Sequence, residues 1–428
     1  MDDDPTDSPL ETRLRTLLQR RQAHSTLRTL TTTTPHQTDF SSNDFLSLAT
    51  SAHLKTAFLA ELAAAQLPLG SGGSRLLDGN SPYAENLERE IADFHGASAG
   101  LLFNSGFDAN AGFFACVPQA GDVVVYDELI HASVHDGMRL SRAGSRVPFR
   151  HNCVQDLRRV LGACVEGVRA RKGHVIVAVE TVYSMDGDLA PLQEIVETVE
   201  EVLPKGMGYV VIDEAHSTGV LGPRGRGLVC ALGLERRVFA RLHTFGKALA
   251  CGGAIILGSS VLRLYLINYA RPLIYTTFLS YPALAAIRAS YSLLQNGHTV
   301  QLAAHLRALI QNLYSELHTL TINTTFRALL TVPPTCPRSP IFSIQLAEPK
   351  ILAKFLQDKG MMVRAVVPPT VPEGTSRVRI CLHAGNTEAD IGKLVASLEE
   401  WCLQRRDERV EEKTGAAAKR RGFASAQL

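Results

Sequence analysis

The 428-residue chain lacks any C-x-x-C pair, although it carries eight cysteines between Cys116 and Cys402. Without that spacing neither a zinc ribbon nor a thioredoxin-like redox pair is expected, and no metal site is read from the sequence. Most of these cysteines stand in apolar runs, which reads as reduced core thiols in a reducing compartment. The chain also lacks charge of one sign. Lys and Arg total 44 against 42 Asp and Glu, for a net charge of +2. That balance gives no electrostatic reason to expect a nucleic-acid partner. No apolar run is long enough to span a bilayer, so no membrane role is expected. The opening MDDDPTDSPL is acidic and fits neither a secretory signal nor an Arg-rich transit peptide. Absent too is a phosphate loop. FGKA places Gly246 and Lys247 correctly, but Arg241 stands where the first glycine belongs and Ala248 where Ser or Thr belongs. The DEAH run at Asp213–His216 therefore has no ATP-binding partner.

What is present is ordinary globular composition: 45% apolar and 20% charged residues. Residues 9–30 read as a basic helix with Leu10, Leu14, Leu17 and Leu18 on one face, and a Thr-rich loop follows. Short β-branched runs then alternate with helical stretches. AGLLF, DVVVYD, HVIVAVE, YVVIDEAH and AIILG read as strands. This alternation predicts βαβ units, a mostly parallel central sheet and helices on both faces. After residue 285 the texture changes to longer helices with PIFSIQLAEP and SRVRICLH as strands, predicting a smaller α+β domain. The expected division is 1–50 as N-terminal helix and linker, 51–285 as the large α/β domain, 286–405 as the small domain, and 406–428 as a disordered basic tail. That tail ends in Ala-Gln-Leu, a relaxed form of a peroxisomal address read by an import receptor. Peroxisomal placement is expected, and cytoplasmic placement if the tripeptide is not read.

Sites in parallel sheets form at the carboxyl ends of strands. Several polar residues fall there. Ser105 and Gly106 in FNSGFDAN lie where a strand gives way to a helix start able to hold a phosphate. His131 follows a strand and reads as a cap, a packed ring or a ligand contact. Asp213 and His216 follow a buried strand, and Asp213 reads equally as a helix cap. Lys247 sits among small residues. Each signal is weak singly. Together a phosphate seat, a flat-ring histidine, a strand-end acid and a secluded lysine are the parts needed to hold pyridoxal phosphate. The lysine forms a Schiff base, and the acid keeps the pyridine nitrogen protonated so that the ring draws off electrons.

The order SNDFLSL, GSGGSR, FNSGFDAN, HASVHDG, ETVYSMDGD, DEAHSTGVLG, TFGKAL, YTT and PPTVPEGTSRVRICL resembles the α-oxoamine synthases of the fold-type-I pyridoxal-phosphate enzymes. The resemblance runs from about Asn43 to Leu398. It implies an aspartate-aminotransferase-like fold with Lys247 as the cofactor lysine. It implies Asp213 at the ring nitrogen, His216 at the phenolic oxygen and His131 stacked on the ring, with Ser184 close by. Ser105, Gly106, Phe107 and Thr244 would meet the phosphate. Thr277, with Thr276 beside it, would reach the cofactor of a neighbouring subunit, which implies a homodimer with shared active sites. Arg379 would hold a substrate carboxylate, with Asn43 and Arg28 as further substrate contacts. The implied reaction is a decarboxylative condensation of an amino acid with an acyl-CoA. The wording is closest to members that join L-alanine to pimeloyl-CoA. Glycine or another amino acid with a different acyl-CoA is the alternative. An inactive partner subunit is a third reading, opposed by the presence of Lys247, Asp213 and His216. One departure bears on the acyl chain: bacterial members often carry an arginine just before PPTVP, where this chain has Val367.

Overall fold

A computed structural model describes residues 8–24, 26–32, 34, 36–66 and 68–425. The chain divides into two units, Met1–Gln37 and Thr38–Leu428. The first unit holds a helix, Pro9–Ala23. Its start is fixed by a capping box in which Glu11 accepts from the Ser8 backbone N–H at 2.8 Å, with proline in the first turn. This helix stops seven residues before the expected end, because the following Ser/Thr-rich run has low helix propensity. Arg28 therefore lies outside it, exposed in an irregular segment. The four leucines read as one face are all exposed, Leu10 at 55%.

In the second unit, residues 38–50 are core and not linker. Strand β1 (Thr38–Asp39) pairs in parallel with a two-residue strand at Met361–Met362. Phe40, Phe45, Leu46 and Leu48 are at most 2% exposed and pack with the C-terminal residues. The apolar residues in DFSSNDFLSL carry neither a helical nor a strand period, which is why the sequence did not place them in the interior.

The main sheet contains β2 (Ala99–Phe103), β3 (Val123–Asp127), β4 (Ser145–Phe149), β5 (Val175–Glu180), β6 (Gly208–Asp213), β7 (Ala240–Thr244) and β8 (Ala254–Gly258). Its order is β2-β8-β7-β6-β5-β3-β4, and only β8 runs antiparallel to its neighbours. Strand β5 shows why the sheet forms. All six residues of VIVAVE are buried, as a central parallel strand covered on both faces requires. Val175, Val177 and Val179 enter one apolar cluster, and Ile176 and Ala178 enter the other. This is the period-2 alternation of a strand, with each buried Val or Ile contributing about 1.5–3 kcal/mol. On the first face, the helix Leu192–Val202 presents Leu192, Ile195, Val196 and Val199 at helical spacing. On the second lies the helix Gly106–Cys116.

Two strands of the main sheet escaped the sequence reading. In β7 the run ARLHT carries Arg241 and His243, 2% and 0% exposed, which interrupt the apolar signature. In β4 the run SRVPF sits at the sheet edge and is mostly exposed. The C-terminal region adds β9 (Ile341–Gln345), β10 (Met361–Met362), β11 (Arg364–Val366) and β12 (Arg377–Cys381), with β11-β12-β9 forming an antiparallel sheet. A final helix runs from Glu388 to Ser425. It replaces the disordered tail expected from residue 406, because Glu, Lys, Arg and Ala in that stretch are strong helix formers. The tripeptide Ala426–Leu428 lies outside the described residues. Among the described residues no helix is long and apolar enough to cross a membrane.

The directions place the carboxyl ends of β2, β3, β5, β6 and β7 along one edge of the sheet. Every motif singled out between Asn104 and Lys247 follows one of those ends.

Candidate active site

Asp213 ends β6 in register with Glu180 at the end of β5. Both its oxygens are committed. Oδ2 accepts from Asn110 Nδ2 at 2.7 Å, and Oδ1 accepts from the Ala215 backbone N–H at 2.8 Å. Asn110 sits on the helix that starts at Gly106, and its Nδ2 also donates to Ser133 Oγ at 3.1 Å. Ser133 Oγ in turn lies 2.8 Å from Nδ1 of His131. The Ser133 backbone N–H donates to the same Nδ1 at 3.2 Å, so Nδ1 is an acceptor and the ring proton belongs on Nε2. His131 and Asp213 are thus joined through Asn110 and Ser133. The residue keeps exposed surface, although the protein packed around the ring excludes much of its water. Burial lowers the His131 pKa, with Asp213 opposing and Lys247 reinforcing that shift.

Lys247 lies in the turn between β7 and β8, which is closed by Phe245 and Cys251 hydrogen-bonding at 3.0 Å and by Ala250 N–H on Lys247 C=O at 2.9 Å. The residue is half-buried. Burial lowers its pKa, Asp213 and Glu180 pull it back up, and Arg379 pushes it down again. The result favours a neutral amine at lower pH than for a free lysine, as a nucleophilic or basic lysine needs. The small neighbours have a packing role. Ala248 is 1% exposed, and a Cβ added at Gly219 would meet its Cβ at 3.1 Å. The alanine and the glycine let the lysine turn close against the loop that carries Asp213 and His216.

His216 is 5% exposed and its Nδ1 has no hydrogen-bond partner. Burial, then the charges of Lys247, Arg379 and His131, hold its pKa well below the usual histidine range. A buried orphaned nitrogen costs about 1–3 kcal/mol unless something binds to it. At the phosphate seat, Ser105 caps the helix Gly106–Cys116, with Asp108 N–H donating to its Oγ at 3.0 Å. Thr244, ending β7, crowds that cap: a Cβ on Gly106 would lie 2.2 Å from Thr244 Oγ1. Only glycine lets the hydroxyl and the helix start come together. Phe107 is 46% exposed, its ring centroid 6.5 Å from that of His131. Thr276 is half-buried and Thr277 exposed, with the Thr277 carbonyl accepting from Asn104 at 2.7 Å.

Arg379, on β12, is 8% exposed and held on three sides. Nε donates to the Ser184 carbonyl at 2.6 Å, Nη2 to Asn43 Oδ1 at 2.9 Å, and Nη1 to the Ser41 carbonyl at 3.4 Å. Asn43, Ser184 and Arg379 are therefore one cluster. Arg28 belongs to the separate N-terminal unit. Sequence reasoning missed Asn110, Ser133 and Glu180. The first had a signal, an amide set in the apolar run after Asp108 of the same helix, and the structure buries it to 4% exposure. Glu180 was read only as the polar end of a strand. Burial first, then the neighbouring Asp213, raise its carboxyl well above the usual range, with Lys247 opposing.

These residues fit pyridoxal phosphate. They supply an amine of lowered pKa, an acid fixed by two donors, a phosphate seat, an exposed imidazole face and an orphaned buried imidazole nitrogen for the phenolic oxygen. The aminotransferase class I and II family model matches residues 35–398. An 8-amino-7-oxononanoate synthase of Emericella nidulans is 52% identical over 93% of this chain and 98% of its own. The aminoacyl transferase sphA of Aspergillus fumigatus is 41% identical over 84% of this chain and 80% of its own. Among solved structures, a serine palmitoyltransferase from S. paucimobilis with a bound pyridoxal-phosphate adduct superposes with a TM-score of 0.79 at 25% identity, covering 92% of this chain and 98% of that one. An 8-amino-7-oxononanoate synthase from Francisella tularensis superposes at 0.69 with 25% identity, over 86% and 99%. The chain belongs to the aminotransferase class I and II family and is a fold-type-I, pyridoxal-phosphate-dependent enzyme.

Proposed function

We propose that the protein joins L-alanine to pimeloyl-CoA and releases 8-amino-7-oxononanoate, CoA and CO2, a step of biotin biosynthesis. A C–C bond forms between alanine Cα and the thioester carbonyl, the C–S bond to CoA breaks, and the bond from Cα to its carboxylate breaks with loss of CO2. When bound, pyridoxal phosphate supplies an electron sink for charge developing at Cα. The chain's own residues do the rest. Asp213, fixed by Asn110 and Ala215, pairs with the ring nitrogen. His216 would meet the phenolic oxygen through its unpartnered Nδ1, and His131 would lie against the ring. Ser105, Gly106, Phe107 and Thr244 seat the phosphate. Nζ of Lys247, once free, takes the Cα proton and later returns one. Arg379 grips the amino-acid carboxylate.

The observation that carries this reading is the placing of Arg379. It is fixed on three sides, and its charge acts on both Lys247 and His216. A carboxylate reader thus stands in the electrostatic reach of the amine that would move the Cα proton. The identity with the Emericella nidulans protein over nearly the whole of both chains supports the choice of L-alanine and pimeloyl-CoA. A second reading, a different amino acid and acyl-CoA, is favoured by the likeness to sphA and by Val367. Competition assays with product masses decide between them. The proposal expects the mass of 8-amino-7-oxononanoate to dominate when L-alanine, glycine and serine compete for pimeloyl-CoA. A dominant product from glycine or serine, or from a longer acyl-CoA offered beside pimeloyl-CoA, would favour the second reading.

The homodimer is part of the proposal. The GSGGSR loop and the Thr276–Thr277 segment hydrogen-bond each other through Gly73 and Phe278 at 2.9 Å. They carry Leu77 and Tyr275, exposed at 77% and 72%. Such side chains are suited to burial against a second copy. Sedimentation of the holoenzyme should give a dimer mass, and a stable active monomer would refute it. Peroxisomal import through Ala426–Leu428 is likewise proposed. Deleting the tripeptide from a fluorescent fusion should disperse a punctate signal, and unchanged puncta would reject the address.

A further inference from the structure

His151 lies outside every motif assigned above, yet both of its ring nitrogens meet a carboxylate. It follows β4, with its side chain 21% exposed. Nδ1 is 2.8 Å from Asp127 Oδ1, and Nε2 is 2.7 Å from Asp188 Oδ2. A carboxylate only accepts, so each contact needs a ring N–H. A neutral imidazole has one. Two carboxylates at these distances favour an imidazolium, with Asn152 Nδ2 a further neighbour 3.2 Å from Nε2. The electrostatics point the same way: burial opposes the charge, but the hydrogen bonds and charges of Asp127 and Asp188 outweigh it and push the pKa up to about 10.

The two carboxylates belong to different parts of the sheet edge. Asp127 ends β3, is fully buried, and also accepts from the backbone N–H groups of Leu129 and Asn152 at 2.9 and 2.8 Å. Asp188 belongs to the turn after β5, where it also accepts from Asn152 Nδ2 at 2.6 Å. That turn is tight. Gly187 N–H donates to the Tyr183 carbonyl at 2.8 Å, and Tyr183 N–H to the Asp188 carbonyl at 3.0 Å. Gly187 has φ +76°, and a Cβ there would meet the Ile341 carbonyl oxygen at 2.3 Å. The Tyr183 ring stands edge-on to His151, centroids 4.5 Å apart. Within the same turn, the Ser184 carbonyl receives Arg379 Nε at 2.6 Å. So charge-assisted hydrogen bonds join the strand end at Asp127, the imidazolium and Asp188, and the backbone of the tight turn carries that link on to the Ser184 carbonyl that receives Arg379.

We propose that His151 is a positioning residue: clamped between Asp127 and Asp188, it fixes the 183–188 turn so that the Ser184 carbonyl aims Arg379 at the carboxylate of the amino-acid substrate. The proposal rests on Arg379 reading that carboxylate, and not on which amino acid is used. It assigns to His151 no contact with cofactor or acyl-CoA. A displaced Ser184 carbonyl lets the guanidinium swing on its remaining contacts to Asn43 and Ser41, and misplacing a positioning group can cost about 10- to 100-fold.

The test uses His151→Gln and Asp188→Asn as full-length, cofactor-loaded enzymes, singly and together. Amino-acid binding is read from the visible spectrum, and steady-state constants are measured for both substrates. Expected for each single variant is an amino-acid Kd and KM raised about 10- to 100-fold, with cofactor affinity and acyl-CoA KM unchanged. The double variant should be no worse than the weaker single one, because the two residues act as one unit. Unchanged amino-acid affinity in folded holoenzyme overturns the proposal. So does a parallel weakening of cofactor, acyl-CoA and amino acid, the mark of a purely structural role. If His151→Gln does not fold, Asp188→Asn decides by the same readouts. Wild-type titration with L-alanine, glycine and L-serine separates the two questions. If only an amino acid other than L-alanine binds, the substrate assignment fails while the clamp is tested with the one that binds.

Discussion

Asn110 Nδ2 donates to Asp213 Oδ2 at 2.7 Å from a helix whose first turn is also the phosphate seat. In the proposed site one helix would therefore set two ends, the phosphate through Ser105 and Gly106 and, by way of Asp213, the ring nitrogen through Asn110. A hydrogen bond to a charged acceptor is worth about 1.5–3 kcal/mol. Asn110→Ala should weaken pyridoxal-phosphate affinity about 10- to 100-fold on that basis. Titrating apoenzyme with cofactor checks this, and wild-type affinity would show that Asp213 needs no such anchor.

Asp213→Asn keeps the shape and removes the charge. The ring nitrogen then lacks the partner that keeps it protonated, and turnover should fall by at least about 100-fold, the scale of losing one fixed charge aimed at the reacting system. Turnover of cofactor-saturated variant enzyme measures it. A fall of only a few-fold would mean that the acid serves folding and not chemistry.

Gly106→Ala places a methyl where Thr244 Oγ1 lies at 2.2 Å. Overpacking of this kind costs about 1–3 kcal/mol, and here it also disturbs the phosphate seat. Combining it with Thr244→Ala removes the clash. The double variant should recover thermal stability but not full cofactor affinity, because the threonine hydroxyl is gone. Recovery of neither would place the strain elsewhere.

Acid should destabilise the fold through two buried histidines. Burial, reinforced by Arg241, lowers His95 to about 3, and burial holds His243 well below the usual range, with His95 and Arg241 adding to it. Their ring centroids lie 4.0 Å apart, with the planes tilted by 34°. The unfolded chain protonates such groups near pH 6.5 while the folded chain does not. Their stability contribution is complete above that pH and is lost as pH falls, by about 1.4 kcal/mol per pH unit for each group until its folded pKa is reached. Urea unfolding between pH 7 and 5 should show this slope, and His95→Gln should flatten it. An unchanged slope in that variant would assign the acid sensitivity to other groups.

Much of this site was legible in the sequence, for a specific reason. Lys247, Asp213, His216, Ser105 and His131 each follow a strand or start a helix, and strands such as VIVAVE announce themselves by uninterrupted apolar residues. The residues that hold them were harder to see. Asn110 and Ser133 lie inside helices and gain their roles from neighbours on other strands. The β7 strand was hidden by Arg241 and His243, whose partners, among them the His95 carbonyl and Thr218, are remote in sequence. Residues 38–50 read as linker because their burial depends on the C-terminal sheet. Arg379 was placed through family resemblance, while its collar of Ser184, Asn43 and Ser41 became visible only in three dimensions.

The most direct measurement follows the visible spectrum of the cofactor-loaded protein and free CoA thiol in one cuvette, as L-alanine and then pimeloyl-CoA are added, for wild type and Lys247→Ala. The account predicts a wild-type absorption band that responds to L-alanine, thiol release that requires both substrates, and loss of both the band and steady turnover in Lys247→Ala. A wild-type band with no alanine-dependent thiol release would contradict the substrate assignment, and sustained turnover in Lys247→Ala would contradict the role of the lysine itself.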